Sequence, residues 1–229
     1  MCNINEVYND MFRSLRADEV EVRLSRLKGR SKEESTGAYY LLYKDARCDM
    51  RILDETFGPF RWQRDHKQVK DNVYCGVSIY APDIVGVESS NKWITKWDAG
   101  DETDVEKAKG EASDSFKRAC FNWGIGRELY TAPMIEIPFE GDWEMSNKRH
   151  PGLKVTEMEV IDHRITKLVI SDNRRVRFTW KDSTPEIKQR IDQCSDVAEL
   201  TKLWNELTNE EQSNNKIRSY FTQRRKEVE

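Results

Sequence analysis

Lys117, Arg118 and Phe121 lie within the run EASDSFKRACFNWGIGRELY, residues 111–130, and together they carry two kinds of chemistry. Adjacent cations can neutralise phosphates, and an aromatic ring offers a π-face to a flat partner. At 100° per residue counted from Val105, Ala108, Ala112, Phe116, Ala119, Cys120 and Trp123 fall within about 60° of one direction, which predicts a buried helix face. Lys107, Asp114, Arg118 and Phe121 fall on the opposite half, with Lys117 on its flank. Thr103 or Asp104 is the expected N-cap, and Gly124 and Gly126 end the helix. Three readings compete for the wet face. The first is a solvated surface with Phe121 as an incidental aromatic or a subunit contact. The second is a site where cations hold phosphates and aromatics hold unstacked bases. The third, a G-x-G nucleotide loop, fits poorly, because these glycines follow the helix and do not open it.

Other constellations carry less. No G-x-x-x-x-G-K-[ST] run exists, so a P-loop ATPase is excluded. The acids Asp98, Asp101, Glu102, Asp104 and Glu106 have the composition of a two-metal nuclease site, but they also suit a solvated loop at a helix N-terminus. His66, His150 and His163 have no ligand spacing and are expected at the surface or in turns. The run RRVRFTWK (174–181) is expected as an edge strand guarded by charge, with an auxiliary DNA surface as the alternative. In the final run KIRSYFTQRRKE, Lys216, Arg218, Arg224, Arg225 and Lys226 suit a helix C-terminus; an extra DNA contact or a docking site for another protein is the sharper alternative.

Composition bounds the rest. The chain of 229 residues carries 38 Lys and Arg against 41 Asp and Glu, a net charge of −3. The two signs are mixed along the whole length. That argues against a wholesale basic coat, so any polyanion site must arise from local segregation of charge. No window approaches a membrane span, and the N-terminal residues show no export signal. Cys2, Cys48, Cys75, Cys120 and Cys194 are scattered, with no C-x-x-C pair, and are expected as buried reduced thiols.

The elements needed to position Lys117 and Arg118 follow in order. Residues 4–16 place Ile4, Val7, Tyr8, Met11, Phe12 and Leu15 on a helical stripe. GAYYLLY (37–43) predicts a strand, and 46–58 a helix stopped by Gly58. Three strands follow, FRWQRDHKQV, VYCGVSIYAP and KWITKWD, with a tight turn at Asp71-Asn72. After the long helix comes an irregular segment with Pro133, Pro138, Gly141, Pro151 and Gly152. Three short antiparallel strands then precede a helical tail that begins at Thr184-Pro185. This order is α+β, not a βαβ alternation.

The runs YYLLYKDARCDMRILDETFGPFRW and KAKGEASDSFKRACFNWGIGRELY together resemble the Rad-fifty-two family of single-strand annealing proteins, most nearly its phage Sak-type recombinases. The matching pieces are Phe57-Gly58 with Trp62, Ser113-Asp114, Lys117-Arg118-Ala119, and the close from Trp123 to Tyr130. The resemblance covers about residues 5–135. It implies annealing without ATP, by subunits assembled into rings or helical filaments that carry a strand in a basic groove. The family's cationic pair matches Lys117 and Arg118, and a groove arginine matches Arg47, with Arg51 one turn on. A third basic position of some relatives is Phe121 here, a departure that lowers the expected charge. A second family site lies in lysines for which Lys92, Lys96, Lys107 and Lys109 are the candidates.

The expectation is therefore an α+β fold: an antiparallel β-sheet packed against a long helix as the annealing core (1–135), a small β unit with its connector (136–182) and a helical C-terminal tail (183–229). The expected function is ATP-independent binding of single-stranded DNA and annealing of complementary strands in phage or prophage recombination, in the bacterial host cytoplasm. The expected DNA-binding residues are Lys117, Arg118, Arg47, Arg51, Phe121, Lys96, Lys107 and Lys109. No catalytic residue, cofactor or metal is expected, and no membrane. The partners are single-stranded DNA, the annealed duplex intermediate and further copies of the chain, with a host single-strand-binding protein or a phage exonuclease as a candidate. The alternatives are a metal-dependent nuclease built on the 98–106 acids and a passive single-strand protector.

Overall fold

Alternation decides the first strands. In β2 (Gly37–Tyr43), Ala38, Tyr40 and Leu42 point inward while Leu41 and Tyr43 stay exposed, the period of two that a half-buried strand requires. The computed structural model of the chain describes residues 11–70, 72–82, 92–100 and 107–228, with the side chains of all of these except 107–109 and 210. Among these residues the fold is mixed α+β, with two antiparallel sheets and seven α-helices, the last of them C-terminal.

The larger sheet has the order β6-β2-β1-β7-β8-β9. It comprises β1 (Glu21–Lys28), β2, β6 (Ile135–Pro138), β7 (Lys154–Ile161), β8 (Arg164–Ser171) and β9 (Val176–Lys181). β1 pairs with β2 over most of its length and meets β7 at Glu21↔Lys154. The strands after residue 135 thus continue the sheet that holds β1 and β2, instead of standing apart from it. β9 lies at the edge, and the turn before it is tied by Asp172 Oδ1, which accepts from the backbone N–H of Arg174 and Arg175 at 2.7 and 2.9 Å. The smaller sheet is a meander of β3 (Trp62–Val69), β4 (Asn72–Tyr80) and β5 (Trp93–Ala99).

The helices of the first unit have legible causes. In α1 (Ala46–Phe57), the Asp45 side chain caps the N-terminus by accepting from Cys48 N at 2.7 Å, and Gly58 ends the helix at φ 73°. α2 (Lys107–Trp123) buries Phe116, Ala119, Cys120 and Trp123, the face its spacing predicts. The expected N-cap of this helix, Thr103 or Asp104, lies outside the described residues, as does Asp71; Asn72, expected in the turn with it, instead begins β4 and pairs with Val69. The short α3 (Gly141–Asn147) follows β6. Residues 11–16 are irregular, contrary to the helical stripe expected there; residues 4–10 of that stripe lie outside the described residues. Phe12 and Leu15 are buried all the same.

The described residues divide into two compact units at Thr179 and Trp180. The second contains α4 (Thr184–Gln193), α5 (Val197–Glu206), α6 (Asn209–Ser213) and α7 (Asn215–Val228). It has its own apolar core of Ile187, Ile191, Leu200, Leu203, Leu207 and Ile217, with Trp204 packed edge-on against Phe221 at 4.9 Å. Asp196 caps α5, and Thr208 forms a capping box with Glu211 at α6. Pro185 sits in the first turn of α4, whose N-cap is Ser183, one residue before the Thr184 expected from sequence.

Candidate nucleic-acid interface

Two adjacent residues on a helix point about 100° apart, and that geometry separates the two central cations. Lys117 Nζ lies 3.5 Å from Asp114 Oδ1, one turn back along α2. Its charge also acts on Asp49 of α1, so Lys117 belongs to the α1 side of the helix. Arg118, about half exposed, places its Nε 3.4 Å from Asp98 Oδ1 of β5. Asp98 is held in turn by Asn122 Nδ2, which donates to its Oδ2 and to Trp97 O, both at 3.1 Å. Each cation therefore has a carboxylate beside it, and the local positive field is weaker than the pair of letters suggests.

Phe121, three residues beyond Arg118, shares its helical face. Its ring stands 4.6 Å from that of Tyr130, and the Arg127 guanidinium lies 5.6 Å over it. Arg127 is a structural residue as well. Its Nε and Nη2 donate to Phe121 O and Asn122 O at 2.9 and 2.8 Å, carbonyls of the last turn of α2, the first of which also accepts from Gly124 N at 3.0 Å. Lys96 does the same, donating to Asn122 O at 3.0 Å with its ammonium 4.5 Å over the Trp123 ring. Burial, with the Arg127 cation second, pushes the Lys96 pKa down. Lys96 thus serves as a helix cap and packs on an indole, and its charge is only partly offered to solvent.

On α1, Arg47 is exposed in the first turn. Arg51, also exposed, lies 3.5 Å from Glu19 Oε1. Glu19 is buried and receives Arg13 at 2.7 and 2.8 Å together with the backbone N–H of Arg16. The Arg13 hydrogen bonds hold its carboxyl down at about 2. The side chains of Lys107 and Lys109 lie outside the described residues. Lys92 is half-buried, and its carbonyl accepts from Ala81 N at 2.8 Å.

Beneath these groups sits a buried ion pair that sequence reasoning missed. Lys44 and Asp49 are both buried and joined through Asp49 Oδ1, while Oδ2 has no hydrogen-bond partner. Desolvation pushes the Asp49 carboxyl up to about 6, against the opposing pull of Lys44. Burial also holds the Cys48 thiol up at about 12 and the Cys120 thiol well above its ordinary value, so neither is a nucleophile. Among the described residues, Cys48, Cys75, Cys120 and Cys194 are free thiols, and all are buried.

A second polar network lies at the α3 end of the large sheet. Arg177 is buried and donates to Glu144 at 2.6 and 2.7 Å and to Asp172 Oδ2 at 2.9 Å. His150 bonds Pro138 O through Nε2 at 2.8 Å, and its Nδ1 stands 2.5 Å from Tyr40 Oη. His150 is buried, which corrects the expectation of a surface or turn histidine; desolvation lowers its pKa. Arg177, read from sequence as one of the charges guarding an edge strand, is locked inside this network.

Asp98, the one member of the 98–106 acidic run among the described residues, serves Arg118 and Asn122. Among the described residues no group of three or more His, Cys, Asp or Glu side chains is placed to hold a metal ion, and no helix is long and apolar enough to cross a membrane. In the C-terminal unit, Arg218 Nε donates to Gln212 O at 2.6 Å and Arg224 donates to Cys194 O at 2.9 and 3.2 Å, so both close helix ends. No model of a known protein family matches the chain. No curated protein matches it either.

Proposed function

We propose that the chain binds single-stranded DNA and anneals complementary strands without ATP, as a homo-oligomer acting in phage or prophage recombination in the host cytoplasm. The single observation that carries this reading is the placement of Arg118 and Phe121 one turn apart on α2, a half-exposed guanidinium beside an aromatic ring. In this reading the smaller sheet and α2 form the annealing core. Trp123 Nε1, which donates to Val77 O at 2.8 Å, and Trp62, stacked on Phe116 at 6.3 Å, support such a unit. Arg47, Arg51 and Lys117 would border the same groove.

The partial neutralisation of Lys117 and Arg118 suits the task. Annealing is downhill, since duplex stacking supplies about 1.4 kcal/mol per base-pair step, so no fuel site is required. The protein must hold strands loosely enough to release the product, and repetition around an oligomer multiplies a modest site. Mixing complementary oligonucleotides with the protein in EDTA and without ATP tests the proposal. Faster duplex formation is the expected result. Binding without acceleration would leave a passive protector, and strand shortening that requires Mg²⁺ would indicate a nuclease.

A further inference from the structure

Tyr130 is 80% exposed, an unusual position for a large ring on a segment so firmly anchored. It lies in a 3₁₀ turn, Arg127–Thr131, entered through Gly126 at φ 77°. Side-chain hydrogen bonds fix that turn. Arg127 donates to the two carbonyls that end α2. The buried Glu128 accepts from Leu15 N through Oε1 at 2.7 Å. Thr131 Oγ1 donates to Glu128 O at 2.7 Å and accepts from Ile165 N at 2.8 Å. The Tyr130 ring is propped on one side by Phe121, 4.6 Å away and tilted by 51°. A ring held rigidly, supported from one side and open on the other loses little entropy when a flat partner lands on it.

We infer that Tyr130 is a stacking platform for one unpaired nucleobase, propped on Phe121, a ring that Arg127 lies over and that stands one turn along α2 from Arg118, so that a base and the phosphates near it are met by neighbouring groups. Solvent-exposed aromatics next to guanidinium groups are what single-strand binders present to bases, because every base has a π-face and every nucleotide an anion. The two arginines are directed by Asp98 and by the helix-end carbonyls and do not stack on the open side of Tyr130; Arg127 lies over Phe121. The phenol has no hydrogen-bond partner among the described residues, so the ring is not placed there to cap a backbone group.

This inference rests on the single-strand reading above, and the test separates the two. Affinities are measured for oligo(dT) and for an abasic deoxyribose-phosphate strand of equal length, with wild type, Tyr130→Leu and Tyr130→Trp. Because stacking is worth about 1–3 kcal/mol per base, Tyr130→Leu is expected to lose about tenfold on oligo(dT) and nothing on the abasic strand, with Tyr130→Trp restoring the loss. At 80% exposure the ring can be removed without opening the core, and thermal unfolding checks that. Wild-type binding of oligo(dT) with Tyr130→Leu unchanged overturns the platform alone, as does an equal loss on both strands. A Tyr130→Leu protein that changes assembly size in sedimentation, with its preference for oligo(dT) over the abasic strand intact, makes the ring a subunit contact and also overturns it. Failure of the wild type to bind either strand removes the parent reading, and the platform with it.

Discussion

Arg118 Nε stands 3.4 Å from Asp98 Oδ1, so the more exposed cation of the α2 pair is tied to the neighbouring strand. The carboxylate both aims the guanidinium and competes with any phosphate for it. Asp98→Asn keeps the bond to Asn122 within reach but removes the competing charge. Its affinity for a single-stranded oligonucleotide at low salt is expected to rise several-fold. Filter binding over a salt series checks this, and an unchanged or weaker affinity would separate Arg118 from the strand.

Replacing both cations, Lys117→Ala with Arg118→Ala, is expected to weaken single-strand binding and to flatten the slope of log affinity against log salt. The change is about 0.7 for each phosphate that the variant no longer neutralises. Since Lys117 shares its charge with Asp114 while Arg118 is the more exposed, the Arg118 single variant should account for more of the change. An unaltered slope in the double variant would move the site elsewhere on the chain.

Asp49→Ala leaves Lys44 charged and buried with the carboxyl oxygens beside it removed, and it is expected to cost about 3–5 kcal/mol in urea unfolding. Replacing both by apolar residues, Lys44→Met with Asp49→Leu, should recover most of that loss. The pair also has a pH signature. The Asp49 carboxyl is pushed up to about 6 from an ordinary 3.8, so between those values the folded chain binds this proton more tightly than the unfolded one. Its contribution to stability therefore falls as pH rises from about 4 to about 6 and is level above that. Subtracting the Asp49→Ala stability curve from that of the wild type isolates this segment, and a flat difference would refute it.

Gly126→Ala is expected to be more damaging than Gly141→Ala, although both glycines have φ near 76°. The left-handed backbone alone costs about 1–2 kcal/mol for a residue with a Cβ. At Gly141 nothing lies within 4 Å of the new atom, whereas at Gly126 it would sit 2.5 Å from Lys44 Cε and displace the buried ion pair. Equal unfolding midpoints for the two variants would show that Lys44 yields freely.

The strands with a clean period were legible in the letters: GAYYLLY became β2, and the helix ended by Phe57-Gly58 became α1. β1 was not foreseen, because most positions of EVRLSRLK are exposed and its hydrophobic residues are too few to mark a face. What the site lacked in one dimension was its counter-charges. Asp98 and Glu19 lie 20 and 32 residues from the cations they hold, Arg118 and Arg51, and no spacing rule reports such a pairing. The burial of His150 is hidden for the same reason: its partner Tyr40 is 110 residues away. Helix periodicity did fix the buried side of α2, since Phe116, Ala119, Cys120 and Trp123 need only their own spacing to line up.

The single register pair Glu21↔Lys154 has a temporal meaning for a ribosome. At about 5–20 residues per second, the hairpin of β1 and β2 emerges seconds before either flanking strand, β6 or β7, has been made. Through that interval its two outer rims offer unpaired amides and carbonyls to any passing chain. A fragment cut at residue 135, before the later strands of the sheet, would make that interval permanent, and precipitation during expression is the fate such a fragment invites.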